Sequence, residues 1–155
     1  MKKIRVLAIL ISLFMLAFNA SLVFAAPPLS LQIVVEETIS EFPVSETFSA
    51  SGSAVPGLIC ASGTVVEVGA TTPNNSGGPF QTFWVTKHFD CLNGNTFDVE
   101  MFVRLDTATG YTKANWKIVS STGVYQNLKG NGKLIGTPST TTPGDIIDVY
   151  DGKVF

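Results

Sequence analysis

The stretch TFDVEMFVRLD, Thr96 to Asp106, alternates without pause: Phe97, Val99, Met101, Val103 and Leu105 fall on one face, and Asp98, Glu100 and Arg104 on the other. A period of two is the signature of a strand with one face buried, because successive side chains of an extended chain point to opposite sides. Phe102 joins the polar face, so that face is partly covered as well. The same alternation recurs in LQIVVEE from Leu31, SETFSASG from Ser45, LICASGTVVEVG from Leu58, FQTFWVTKHFD from Phe80, KANWKIVSS from Lys113, YQNLKGNGKLIG from Tyr125 and DIIDVYDGKVF from Asp145, which makes eight runs. Turn-forming segments separate them: TTPNNSGGP, CLNGN, DTATG and GTPSTTTPG. The Asn-Gly pair in CLNGN is a strong hairpin signal.

Eight short antiparallel strands in one small domain leave unpaired edges unless the sheet closes. The expected fold is therefore all-β, a single antiparallel eight-stranded barrel, with a two-sheet β-sandwich as the alternative. No internal repeat supports a propeller or solenoid. Gly130, Gly132 and Gly136 share one face by parity, and a large side chain such as Trp116 or Tyr125 can pack over the row they vacate while the sheet coils tightly.

The chain opens with Lys2, Lys3 and Arg5, an apolar run from Val6 to Phe18, and small residues before Pro27. This reads as a signal peptide over residues 1–25, cleaved after Ala25, with the barrel domain over 26–155. The apolar run is shorter than the roughly 20 residues that span a bilayer, so no stable membrane anchor is expected after cleavage. Without the leader, seven basic residues face twelve acidic ones. That balance excludes nucleic acid as a partner. The chain has two cysteines, Cys60 and Cys91, and an even count in an oxidising, extracytoplasmic compartment favours a disulfide over free thiols or metal ligands.

A family likeness is carried by ANWKIVSSTGVYQNLKGNGKLIGTP, CASGTV and FDCLNGNTFDVEM. These segments resemble those of allene oxide cyclase barrel-like and dirigent-like proteins, in particular bacterial secreted members, over about Cys60 to Thr137. Trp116, Thr122, Gly123, Tyr125, Leu128, Gly130 and Gly132 occupy signature positions, whereas Ser121 stands where glycine is usual. The resemblance implies an eight-stranded barrel with a cavity at one end, and Cys60 and Cys91 match its paired cysteines. Relatives with this barrel often form trimers, so homo-oligomerisation stays open. No catalytic residue transfers through the likeness, because fold does not carry function.

Constellations for chemistry are few. NLKGNGKL lacks the first glycine and the Ser/Thr of a phosphate-binding loop. His88, the single histidine, lies near Asp90 and Cys91, but a zinc site needs three or four ligands, and a strand-end surface histidine is expected. Asp98, Glu100 and Arg104 are expected to face solvent. Asp145, Asp148 and Asp151 do not follow a calcium-loop spacing and alternate faces in a strand. No nucleophile arrangement is present, so neither a catalytic residue, a cofactor nor a metal is expected. Asn74 would accept a glycan only in a eukaryotic host. Phe83, Trp84, Phe97, Met101, Trp116 and Tyr125 are the expected lining of the core or of a cavity.

Three functions follow. The first is a secreted noncatalytic barrel that binds a small apolar molecule or a surface partner, marked by a cavity without convergent titratable groups. The alternative is a cyclase or coupling auxiliary, marked by polar side chains such as Glu100, Arg104 or Lys87 converging inside. The third is a purely structural extracellular protein filled by its own side chains.

Overall fold

The computed structural model describes residues 27–38, 45–71, 73–75 and 78–155; the signal peptide expected over residues 1–25 lies outside them. Nine strands follow in order: β1 (Leu29–Thr38), β2 (Glu46–Ser51), β3 (Ser62–Ala70), β4 (Asn74–Asn75), β5 (Phe80–Asp90), β6 (Thr96–Asp106), β7 (Thr112–Ser121), β8 (Gly130–Pro138) and β9 (Asp145–Val154). Each long strand pairs antiparallel with its neighbours in sequence, β3 pairs β5, and β1 pairs β9 from Leu29↔Val154 to Thr38↔Asp145. The sheet is thus a closed eight-stranded meander, with β4 a two-residue spur on β5. It is a barrel and not a sandwich.

Two bulges help it curl. Val68 is the extra residue between Glu67 and Gly69 against β5, and Val119 is the extra residue of β7 where the register with β6 shifts between Asp98 and Val99. Each adds local twist and bends its strand. The glycine row has the role that parity suggests. Gly132 lies between Trp116 on β7 and Gly152 on β9. A Cβ on Gly152 would run into the Trp116 ring and the Asn131 carbonyl, so the indole occupies the space of absent side chains. The indole N–H donates to the Lys133 carbonyl at 3.1 Å.

One end of the barrel is plugged. The segment after β2 turns inward and buries Ala54 and Ile59 completely, so the strand expected from Leu58 begins only at Ser62. The strand expected from Tyr125 likewise begins at Gly130, because positive φ at Gly123 (63°) and Asn127 (73°) breaks the extended chain and Gly123–Tyr125 forms a single 3-10 turn. Tyr125 caps the lumen from this turn, edge-on to Phe97 at 6.3 Å. Leu128 is buried beside it. The Thr122 hydroxyl contacts that of Thr96 at 2.8 Å, and Asn95 Oδ1 accepts from the Val124 N–H at 2.9 Å, fastening the turn to the β5–β6 hairpin. Cys60 and Cys91 form a disulfide across the same end, Cα to Cα 5.8 Å. Above the plug, Phe89 and Phe97 stack at 4.8 Å, Phe48 meets Phe89 edge-on at 5.2 Å, and Tyr150 meets Phe89 edge-on at 5.9 Å. The lower half of the barrel is solid.

Candidate functional site

Above the aromatic layer the inward register stops being apolar. On β5 the inward positions read Phe83, Val85, Lys87, Phe89; on β1, Leu31, Ile33, Val35, Glu37; on β9, Ile146, Asp148, Tyr150. The tilt and stagger of the strands bring the charged members to one level. Lys87 reaches across the lumen to Glu37, which it contacts directly, and to Asp148 Oδ2 at 3.7 Å. Lys87 is 5% exposed and Asp148 6%. The Thr112 hydroxyl lies 3.4 Å from Asp148 Oδ1, where it donates, and Gly136 is the residue that leaves both room, since a Cβ there would collide with each.

These charges form the floor of a cavity of about 460 Å³ whose described lining lies at the end of the barrel away from the plug. Its walls are Phe83, Val85, Met101, Val103, Leu105, Leu134 and Ile146, with Glu67, Gln81 and Thr107 among its polar groups. Tyr150, fully buried next inward from Asp148, has a hydroxyl with no hydrogen-bond partner among the described residues.

The floor is electrostatically tense. Burial pulls the Lys87 ammonium down to about 8, against the attraction of Asp148. Burial pushes the Asp148 carboxyl up, opposed by Lys87 and Thr112. Glu67 is raised by burial. Glu46 is raised by burial and by Asp148, Asp145 and Glu67, although the Thr38 N–H donates to it at 2.8 Å. Burial, then Asp148, Glu46 and Glu67, holds the Tyr150 phenol well above its usual range.

A pH dependence follows. A carboxyl whose folded pKa exceeds its unfolded value binds its proton more tightly in the native state, so the stability it contributes is present in acid and lost as pH rises through the folded value. Glu46, Glu67 and Asp148 all have this sign. Well below its folded value of about 8, Lys87 is protonated in both states and adds little slope. The thermal midpoint is expected to rise as pH falls from 7 to the ordinary carboxylate value of 4.5, by scanning calorimetry, and to rise less in Glu46→Gln/Glu67→Gln. A midpoint that falls over that interval contradicts the assignment.

The residues expected to line the interior divide. Phe97, Met101 and Trp116 are buried in the lumen, Phe83 lines the cavity wall, and Tyr125 closes the far end. Trp84 is corrected: it is 46% exposed on the outer wall, 5.1 Å from Phe102, its direct partner across β5 and β6. Parity decides this, because Trp84 shares a face with His88 and Phe102 shares one with Asp98. His88 Nδ1 lies 2.6 Å from Asp98, which also accepts from the Ser120 hydroxyl at 2.5 Å, while Asp90 accepts from the Leu92 N–H at 2.7 Å and Cys91 is in the disulfide. Glu100 pairs outside with Lys117 at 2.7 Å, and Arg104 sits 3.7 Å over the Phe80 ring. Of the three polar groups named for a catalytic interior, Lys87 alone points inward. The sequence reading missed Glu37, Glu67 and Asp148 as its companions, so the cavity does not lack convergent titratable groups as the noncatalytic expectation required.

No protein-family model matches the chain, and comparison with curated proteins and with solved structures likewise yields no match. Among the described residues no helix is long and apolar enough to cross a membrane.

Proposed function

We propose that the protein is an exported binding barrel that takes a small molecule, apolar along its body and polar at one end, into the mouth of the lumen. The observation that carries this is a cavity of about 460 Å³ with apolar walls over a charged floor, at one end of a barrel whose other half is filled. Ligand sites commonly join hydrophobic walls to a few convergent polar groups in this way, and barrel mouths are a frequent location. Export is supported by the leader-like residues 1–25 and by a disulfide suited to an oxidising compartment. The likeness to allene oxide cyclase barrel-like proteins does not choose the ligand, because Trp116, Thr122, Gly123, Tyr125, Leu128, Gly130 and Gly132 build wall and plug, none of them the cavity lining.

A catalytic auxiliary role is the second reading, favoured by the convergence of Lys87, Glu37 and Asp148 beside apolar walls, which could exchange protons with a bound substrate.

The binding test uses prodan, a neutral apolar fluorophore. Saturable one-to-one uptake with a blue shift is expected, and Val103→Trp, which fills the cavity, should weaken it at least tenfold. Leu105→Trp, nearer the mouth, provides a second block should Val103→Trp lower the thermal midpoint. The absence of saturable uptake by the folded protein, or uptake indifferent to both blocks, would overturn the proposal.

A further inference from the structure

Resting on the mouth cavity as a binding site, we infer that its ligand is a small organic cation, a primary amine on an apolar body, whose ammonium group sits among Glu67, Glu37 and Asp148. The charge balance of the lining points this way. Among the described residues it carries three carboxylates, Glu37, Glu67 and Asp148, against one ammonium, Lys87. Lys87 is already engaged by Glu37 and Asp148, so its charge is spent within the floor. Glu67, facing Lys87 across the β3–β5 ladder, has no ion-pair partner among the described residues, and Glu46 adds a further carboxylate nearby.

Partly buried carboxylates beside low-dielectric walls are costly unless a cation compensates them. Burial raises the carboxyls of Glu67, Glu46 and Asp148, in keeping with that cost. An anionic head would add to the carboxylate excess, and a neutral head would leave it uncompensated. The walls of Phe83, Met101, Val103 and Leu105 offer the tail of an amine the apolar surface that a hydrated metal ion could not use.

The test displaces bound prodan with octylamine, 1-octanol or octanoate at neutral pH, three probes with one tail and different heads. Octylamine is expected to displace at a concentration about tenfold lower than octanol, with octanoate weakest, a margin in keeping with one partly desolvated charge pair. Glu67→Gln should narrow the amine's advantage over octanol severalfold. Equal potency of amine and alcohol, a preference for octanoate, or an advantage untouched by both Glu67→Gln and Glu46→Gln would overturn the inference while leaving the cavity a binding site. Failure of prodan itself to bind would overturn both.

Discussion

Lys87→Met is expected to cost about 3–5 kcal/mol of folding stability, read as a lowered urea midpoint. The magnitude follows from what remains behind: Glu37 and Asp148, diagonal neighbours on the paired strands β1 and β9, are left without their shared cation, and an uncompensated buried charge is among the most expensive defects a single substitution creates. Methionine nearly matches the lysine stem in volume, so packing contributes little to the loss. Two features separate this account from a generic core mutation. The deficit should shrink in acid, where the stranded carboxyls take up protons, and Lys87→Met/Asp148→Asn should recover a large part of it. A single variant within about 1 kcal/mol of the parent would show that the floor is not held by its ion pairs.

Loss of the disulfide should have a comparable effect at the other end. Cys60 and Cys91 are separated by 31 positions, and closing a loop of that length removes unfolded-chain entropy worth about 3–4 kcal/mol in the chain-entropy model. Cys60→Ser/Cys91→Ser is therefore expected to lower the thermal midpoint by roughly 10–15 °C for a domain of this size. Each single serine variant should behave alike, since either removes the same cross-link. The parent protein in strong reductant should follow the double variant. Two reactive sulfhydryls in the unfolded, unreduced protein would refute the pairing. Binding at the mouth should survive in the folded fraction, because the bridge lies beyond the aromatic layer from the cavity.

Most of the barrel was legible from alternation. The eight runs became the eight staves, and the glycines opposite Trp116 marked where the wall bends around a large ring. Alternation sorts residues onto two faces without saying which is inside, and where both faces carry aromatics the choice fails. Trp84 is expected among the residues lining the core or a cavity, yet its partner Phe102 shares a face with Asp98 and Glu100, which assigns the pair to the outside. The floor of the cavity was encoded in three strands at once: Glu37, Lys87 and Asp148 each extend an apolar inward register, a recurrence that is telling only when the strands are read together. Their meeting was not legible, because it depends on the stagger of the closed sheet. Tyr125 left its strand because left-handed backbone at Gly123 and Asn127 converts an alternating segment into a turn.

Leu29 pairs with Val154 beside the plug, so both the first and last strands are anchored at the sealed base. A linker, a fused reporter or a support attached after Phe155 would leave from that base and turn the opening toward the bulk. Molecules immobilised in this way should stand as oriented cups, with access to their contents unobstructed by whatever holds them.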